Sequence, residues 1–282
     1  MAVPHLTTAL SGPILALEKR ILEAMPAIEH WLRGKWQQHT IPFYCSVDLR
    51  NSGFKLAPVD TNLFPGGFNN LNTDFLPLCV QAMMAAVEKI CPEAHSILII
   101  PESHTRNIYY LQNVHVLERI MRHAGLNIRI GSLIPEITEP TPINLPDGNT
   151  LLLEPIVRKG NRLSVGNFDP CAILLNNDLS SGIPDSLKNL DQIIIPPIHA
   201  GWTTRLKSQH FTAYDRVAQE FAELINIDAW LINPYFNSCG KIDFHEEKGV
   251  DCVAATVDEI LSNIKEKYTQ YGVKEEPFVI VK

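Results

Sequence analysis

The sequence predicts an α/β fold whose sheet is at least partly parallel, and two observations lead to that prediction. Short apolar segments rich in β-branched residues alternate with longer segments whose apolar residues recur at helical spacing. Several short segments are apolar without interruption, as expected for strands that are buried on both faces. Polar loops follow several of them, and in such sheets ligands bind beyond the carboxyl ends of the strands.

The predicted elements can be placed in chain order. The predicted helices cover residues 12–38, 74–90, 107–124, 208–225 and 253–271; Asp74 is the expected cap of the second and Gly125 ends the third. The predicted strands are residues 42–49, 54–59, 96–100, 128–130, 151–157, 162–165, 172–175, 192–195 and 278–282. The strands 151–157 and 162–165 are close enough in sequence to form a hairpin.

The composition is that of a globular protein with a net negative charge. The chain has 282 residues, which suggests about two domains or one large one, and 45% of the residues are hydrophobic. Lys and Arg total 24 against 31 Asp and Glu, for a net charge of −7. Non-specific nucleic-acid binding depends on a basic surface, so we expect no nucleic-acid partner, although a few local cations can hold a small anion.

The sequence also indicates a cytoplasmic protein without a membrane partner. It shows no basic segment followed by an apolar stretch near its start, and no apolar run approaches the ~20 residues of a membrane-spanning helix. The six cysteines are widely spaced and include no C-x-x-C pair. This spacing indicates reduced cytosolic thiols rather than a zinc site.

The polar, glycine-rich segment 60–72 is the first candidate site. Asp60 and Asn62 lie two residues apart, so on an extended segment both side chains point to the same face. A carboxylate and an amide oxygen side by side suit a hard cation such as Mg²⁺, and Gly66-Gly67 lets a backbone approach a ligand closely. The alternative is a structural turn in which Asp and Asn bind their own backbone.

Three further loops follow predicted strands. Residues 102–107 lead into a helix whose first amides either bind an anion or are simply capped. Residues 176–182 form either a ligand loop or an Asx-type turn. In the loop 199–210, Arg205 and Lys207 stand just before a helix, where the helix dipole disfavours cations. A bound phosphate would reconcile cations and dipole; the alternative is a solvated basic loop.

Long stretches of the sequence resemble one family. They begin with Phe43-Tyr44-Cys45-Ser46-Val47-Asp48-Leu49-Arg50-Asn51 and continue with residues 57–71, 174–184 and 196–211. Together they resemble the proteobacterial glutamate–cysteine ligases with an ATP-grasp fold. Members of that family continue, after a strand like residues 278–282, into a glycine-rich ATP loop. The bare strand-like end of the sequence therefore leads us to expect a longer natural protein.

A more distant, local resemblance is to eukaryotic-type glutathione synthetase. That enzyme has an acidic-x-Asn pair followed by Gly-Gly, similar to Asp60-Thr61-Asn62 and Gly66-Gly67, and its acidic residue helps hold Mg²⁺ and nucleotide phosphates. Its Arg-Asn-Ile-aromatic run, like residues 106–109, contacts the peptide substrate. Two of its lysines contact ATP, one before a helix like Lys207 and one ending a strand like Lys282.

These resemblances imply an ATP-dependent ligase that joins the γ-carboxyl of L-glutamate to L-cysteine through an acyl phosphate, the first step of glutathione biosynthesis. The implied cofactors are ATP and Mg²⁺, and the implied partners are the small molecules glutamate, cysteine and ATP. A pre-ATP-grasp, Rossmann-like substrate region is expected over residues 1–200, and the start of an ATP-grasp domain over residues 201–282. The alternative is a non-catalytic amino-acid- or nucleotide-binding module on the same α/β scaffold.

The candidate site residues are polar side chains of the loops and strand ends described above. The expected metal residues are Asp60 and Asn62, and the expected phosphate contacts are Lys207 and Lys282. Arg50 or Arg205 is expected to bind the substrate carboxylate by a two-pronged contact. The residues expected to bind and orient the amino acid are Asn70, Asn107, Asn177 and Ser180.

Overall fold

The structure is a computed structural model that describes residues 12–103, 107–240, 242–243 and 245–281. The chain divides into two units, neither of them contiguous in sequence. The sheet unit comprises His39–Val47 and Thr61–Arg205. The helical unit comprises Met1–Gln38, Asp48–Asp60 and Leu206–Lys282. The helical unit is thus made of segments that lie before, within and after the sheet unit in sequence.

The described residues form six α-helices and nine strands. The helices are α1 (Pro13–Glu23), α2 (Met25–Gln38), α3 (Leu76–Ile90), α4 (Ile108–His123), α5 (Lys207–Ile225) and α6 (Val250–Tyr271). The strands are β1 (Ser46–Asn51), β2 (Leu56–Asn62), β3 (Ser96–Pro101), β4 (Asn127–Ser132), β5 (Thr141–Asn144), β6 (Thr150–Lys159), β7 (Arg162–Val165), β8 (Ala172–Asn176) and β9 (Ile193–Ile195). None of the described helices is long and apolar enough to cross a membrane.

The sheet unit contains a seven-stranded mixed sheet in the order β5-β6-β4-β3-β8-β9, with β7 paired to β6. The pairs β3–β4, β3–β8, β4–β6 and β8–β9 are parallel, whereas β5 and β7 run antiparallel to β6. The predicted hairpin is therefore confirmed, with Lys159 opposite Arg162 across a two-residue loop. The predicted α/β class with a partly parallel sheet is confirmed as well.

The core of the sheet unit lies on both faces of β3. Because successive side chains of a strand point to opposite faces, Ile97 and Ile99 pack in the cluster that holds α4, and Leu98 and Ile100 pack in a second cluster on the other face. All four are at most 2% exposed. Full burial of such a side chain contributes about 1.5–3 kcal/mol, so β3 is a central stabilising element of the unit.

The helical unit combines four α-helices with the larger part of the two-stranded sheet β1–β2. Helix α2 contacts α5, where the rings of Trp31 and Phe221 meet edge to face at 5.7 Å. A second aromatic cluster stacks Trp230 on Tyr271 with ring centroids 4.9 Å apart, and Phe54 joins it at 5.8 Å from Trp230. Buried aliphatic side chains, among them Leu17, Ile28 and Ile225, add to these aromatic contacts.

The predicted helix over residues 12–38 is wrong as a single element. It is interrupted at Ala24, between α1 and α2. The cause is Pro26, which has no N–H to donate to the carbonyl four residues earlier and whose ring clashes with that carbonyl. At the end of α1 the Ala24 N–H is shared between the carbonyls of Arg20 and Ile21, at 3.2 and 3.1 Å.

Two further predictions are wrong, and one strand of the structure is not among the predicted elements. Residues 277–281 form no strand, and Phe278 is 77% exposed, because no described strand pairs with this run to satisfy its backbone. Strand β5 was not predicted, since its Pro142 is compatible only with an edge strand, which β5 is. Asp74 does not cap α3; instead Oδ1 of Asn72 accepts from the N–H of Asp74 at 3.0 Å and begins a short 3-10 turn before α3.

Candidate active site

Two candidate residues, Asp60 and Lys207, are in direct contact within the helical unit. The Lys207 ammonium lies 2.7 Å from Oδ2 of Asp60. The residues are 147 positions apart in sequence, so it is the fold that brings them together. Asp60 keeps 31% of its side chain exposed and Lys207 keeps 37%. The ion pair is therefore formed and also accessible from solvent.

The position of Lys207 at the start of a helix explains why a carboxylate close to it is favourable. Lys207 is the first residue of α5, and the first turn of that helix contains no acidic residue. A cation there faces the positive end of the helix dipole, which is unfavourable unless an anion lies nearby. Asp60 on β2 supplies that anion. The conflict noticed in the sequence is thus resolved in the structure by a carboxylate of the protein.

Asn62 has a local partner in the sheet unit. Its Oδ1 accepts a hydrogen bond from the N–H of Phe64 at 2.9 Å, which is the Asx turn considered as the alternative for this segment. An amide oxygen can accept a second bond, so a ligand contact remains compatible with the turn. Across the part of the chain that the structure describes, no group of three or more His, Cys, Asp or Glu could hold a metal ion.

The two candidate arginines differ in how firmly they are oriented. Arg205, in the sheet unit, donates from Nη2 to the carbonyl of Thr61 at 3.0 Å, and its guanidinium lies 4.3 Å from the Trp202 ring centroid. Stacking on an aromatic ring fixes a guanidinium plane and leaves its edge for an anion. Arg50 lies exposed on β1 of the helical unit. Of the two, Arg205 is the better oriented.

A hydrogen-bond network joins α4 to the carboxyl ends of β3 and β8 in the sheet unit. The Tyr110 hydroxyl accepts from the N–H of Glu102 at 2.9 Å and donates to the carbonyl of Asn176 at 2.6 Å. The Glu102 carboxylate accepts from the N–H of Asp178 at 2.8 Å. Burial raises the pKa of Tyr110, so its phenol stays protonated at neutral pH. The network therefore joins Glu102, directly after β3, to Asn176 and Asp178 at the end of β8.

Asn176 extends the network to the glycine-rich segment. Its Nδ2 donates to the carbonyl of Pro65 at 2.8 Å, and the residue is only 2% exposed. The Tyr44 hydroxyl donates to the neighbouring carbonyl of Leu175, and burial raises the pKa of Tyr44. Asn176 therefore positions the Gly66-Gly67 segment relative to the end of β8.

Sequence reasoning missed the roles of Tyr44, Tyr110 and Asn176. Asn176 opens one of the polar loops singled out above, and its place directly after an apolar run was a usable signal. Tyr44 gave none, because its contact spans 131 residues of sequence.

The asparagine and serine candidates fall into two groups. Asn107 caps α4, with Oδ1 accepting from the N–H of Tyr110 at 3.1 Å. Asn177 is 7% exposed; it donates to the carbonyl of Pro101 at 3.2 Å and accepts from the N–H of Leu179 at 3.0 Å. Both therefore have structural partners, whereas Asn70 and Ser180 are exposed. Lys282 and residues 104–106 lie outside the described residues.

Comparisons with known proteins point in one direction. Residues 18–282 match the family model described as glutamate-cysteine ligase. The fold is similar to a 1.90 Å crystal structure of a protein from Methylobacillus flagellatus KT that is provisionally named a gamma-glutamylcysteine synthetase. The identity is 66% and the TM-score 0.92, over 98% of this chain. The chain spans 65% of the length of that protein. No curated protein matches the chain.

Proposed function

The chain belongs to the glutamate–cysteine ligase family, and on that premise we propose that it carries part of the active site of an ATP-dependent ligase. The reaction joins the γ-carboxyl of L-glutamate to the amine of L-cysteine, the first step of glutathione biosynthesis. Residues 1–200 provide a substrate region of the pre-ATP-grasp type, residues 201–282 begin an ATP-grasp domain, and the enzyme acts in the cytoplasm. The observation that carries the proposal is the accessible Asp60–Lys207 pair.

Lys207 has the charge and the exposure that a phosphate contact needs. An ammonium is a compact point charge that exchanges one anion for another without a fixed geometry. An incoming nucleotide phosphate would compete with Asp60 for Lys207. The carboxylate of Asp60 would then be available to a cation. The pair would therefore remain charge-balanced both before and after a Mg²⁺–nucleotide complex binds, with Lys282 as a second proposed phosphate contact.

The residues present fit Mg²⁺ bound together with a nucleotide. Mg²⁺ is usually held by one or two carboxylates plus substrate phosphates, and Asp60 supplies one carboxylate, with the Asn62 amide oxygen as a further donor. When bound, Mg²⁺ would neutralise charge on the transferring phosphoryl group. In this family the nucleotide is ATP, which we propose for this chain as well.

The chemistry then requires placement and charge balance from the protein. An oxygen of the glutamate γ-carboxylate attacks the γ-phosphorus of ATP, the bond to ADP breaks, and an acyl phosphate forms. The cysteine amine attacks the acyl carbon, phosphate leaves, and the amide forms with loss of a proton. Positioned cations and hydrogen-bond donors supply most of the acceleration in such reactions, so no cysteine of this chain need act as a nucleophile.

Arg205 is the proposed contact of the substrate carboxylate. A guanidinium binds a carboxylate through two parallel N–H bonds, and stacking on Trp202 orients Arg205 for such a contact. Arg50 is the second candidate for this role. Asn70 and Ser180 have exposed side chains that can orient the amino acid, and contacts by Asn107 and Asn177 would add to their structural bonds.

Substrate-dependent turnover of the intact protein that contains this chain tests the proposal. We expect ADP formation to require glutamate, and formation of the γ-glutamylcysteine dipeptide to require glutamate, cysteine and ATP together. Absence of the dipeptide at saturating substrates would contradict the ligase and favour the non-catalytic binding module.

Substitution of the ion pair tests the site. We expect Asp60→Asn and Lys207→Met each to lower kcat about 10²-fold, the effect of losing one preorganised charge contact. The free energy of unfolding should change by less than about 1 kcal/mol, since a partly exposed ion pair contributes little to stability. Steady-state kinetics and urea unfolding measure the two quantities.

A matched control is Asp185→Asn, which breaks an exposed ion pair with Lys188 of the same 2.7 Å length. It should leave kcat unchanged. A large loss of stability in Asp60→Asn, with normal turnover of the protein that remains folded, would show that the pair is structural.

A further inference from the structure

We propose that the sheet unit has a second small-molecule site that binds a free α-amino acid with an apolar side chain. The site is a cavity of about 210 Å³ lined by residues of α4, the segment before α3, the start of α3 and the turn between β5 and β6. None of the described candidate residues for the ligase reaction lines it. Asn69 and Leu71, which do line it, flank the candidate residue Asn70 in sequence.

Arg119 provides the positive end of this site. It lines the cavity, and its Nε atom is buried without a hydrogen-bond partner among the described residues. Buried polar groups are almost always paired, and a charged one is the most costly to leave alone. Arg122, one turn further along α4, bonds the Glu118 carboxylate at 2.8 Å and the carbonyl of Ile128 at 2.6 Å. Arg122 is thus paired with protein groups, whereas Arg119 lines the cavity, where a carboxylate is the matching ligand group for an arginine.

Asp147 provides the negative end. Its Oδ2 accepts from Nε2 of Gln112 and its Oδ1 from the N–H of Asn149, both at 3.1 Å. The hydrogen bond from Gln112 holds the pKa of Asp147 below its usual value, so the carboxylate is charged at neutral pH. Arg119 and Asp147 both line the cavity but form no ion pair with each other. The proposed ligand offers a carboxylate to Arg119 and an ammonium to Asp147.

The rest of the lining sets the size and the side chain of the ligand. Leu71, Leu76, Val116 and Ile120 provide an apolar wall, and Asn69 adds a polar amide. Pockets for drug-sized molecules run to about 300–1,000 Å³, so a cavity of about 210 Å³ suits a smaller molecule. A nucleotide is too large for this cavity. Valine, leucine and methionine have a suitable volume, and each carries a carboxylate, an ammonium and an apolar side chain.

Calorimetric titration of the intact protein tests this assignment. L-Leucine is the main probe, with 4-methylpentanoate as the analogue lacking the amine and 3-methylbutylamine as the analogue lacking the carboxylate. We expect leucine to bind at least about tenfold more tightly than either analogue, because each analogue loses one charged contact. Binding of 4-methylpentanoate as tight as that of leucine, or no binding of leucine, valine or methionine, would overturn the proposal.

Variants locate the binding. Arg119→Gln should weaken leucine binding at least about tenfold, and Asp147→Asn should weaken it as well. Arg122→Gln, which removes a positive charge from the same helix outside the cavity, is the matched control and should bind leucine like the unaltered protein. Unchanged affinity in Arg119→Gln would overturn the proposal.

A measurement without variants guards against a substitution that fails to fold. Cys79 lines the cavity, whereas Cys45 is an exposed free thiol outside it. We expect saturating leucine to slow alkylation of Cys79 by iodoacetamide severalfold and to leave Cys45 unaffected, as read by peptide mass spectrometry. Equal rates at Cys79 with and without leucine would contradict occupancy of the cavity.

Discussion

The sheet unit and the helical unit differ in how much of their apolar surface they bury. In the sheet unit, Ile97–Ile100 of β3 are at most 2% exposed, and apolar clusters lie on both faces of the sheet. In the helical unit, α6 has 22 residues and none of them is buried. Exposed apolar side chains occur in both units, for example Leu22 in the helical unit and Leu78 in the sheet unit, so the difference lies in the buried residues.

This difference matches what each unit presents to a ligand. In the sheet unit, Tyr110 donates to the carbonyl of Asn176, and Asn176 donates to the carbonyl of Pro65, so that buried hydrogen bonds join α4, the end of β8 and the glycine-rich segment. The helical unit presents the ion pair Asp60–Lys207, in which about a third of each side chain is exposed. A dense core fixes polar groups in one arrangement, whereas a lightly buried unit leaves charged groups free to exchange partners. Substitutions in each unit can test that contrast.

The largest effect is expected in the core of the sheet unit. Ile99 is fully buried between β4, β8 and the residues of α4. Ile99→Ala should lower the free energy of unfolding by about 2–5 kcal/mol, because it loses apolar burial and leaves a cavity. Urea unfolding followed by circular dichroism measures the change. Leu22→Ala in α1, where the side chain is 62% exposed, is the control and should stay within about 0.5 kcal/mol. An equal loss in the free energy of unfolding in both variants would contradict the difference in burial between the two units.

An intermediate effect is expected at the carboxyl edge of the sheet. Tyr110→Phe removes the hydroxyl that accepts from the N–H of Glu102 and donates to the carbonyl of Asn176. Leaving these backbone groups without that partner should lower the free energy of unfolding by about 1–3 kcal/mol. Tyr109→Phe removes a hydroxyl from the adjacent residue, which is 64% exposed, and should change nothing measurable. Equal stability of the two variants would show that the network does not hold this edge.

The buried sheet was the part of the fold that the sequence predicted best. Continuous apolar runs such as Ser96–Pro101 have few other stable environments than the interior of a covered sheet. Each predicted strand of that sheet was recovered to within a few residues, and only the proline-containing edge strand β5 was missed. Pro26 lies inside the predicted first helix and is by itself a signal for an interruption. The apolar periodicity continues across this proline and therefore does not show the interruption.

The candidate site was harder to predict because its contacts are long-range. Asp60 and Lys207 could each be singled out, the first by its spacing from Asn62 and the second by its place at a helix start. Their contact across 147 residues could not be read from local pattern. For Asn107 and Asn177, the local alternatives of a cap and a turn describe the bonds that the structure shows. Residue type thus indicated chemistry, and tertiary packing decided which groups meet.

The smallest effect is expected at a lysine of the helical unit and depends on pH. The ammonium of Lys55 lies 4.6 Å from the Trp230 ring centroid and 5.6 Å from that of Tyr235. Burial lowers the pKa of Lys55 from 10.5 to about 8; Asp228 opposes this shift and Lys267 adds to it. Between pH 8 and 10.5 the unfolded chain therefore binds more protons at this residue than the folded chain. Stability should rise with pH from about 8 to about 10.

Lys55→Met should remove that rise and stabilise the helical unit at pH 7 by about 1–2 kcal/mol, after allowance for partial exposure. The window closes near pH 10, because burial raises the pKa of Tyr271 from 10.0 to about 12 and stability then falls as the unfolded phenol ionises.

Tryptophan fluorescence in urea reports mainly this unit, which contains Trp31, Trp36 and Trp230 but not Trp202. The control Lys19→Met, on a side chain that is 77% exposed, should keep the pH dependence of the unaltered protein. If the free energy of unfolding of the unaltered protein did not change between pH 8 and 10, Lys55 would be as solvated as the surface lysines of the helical unit.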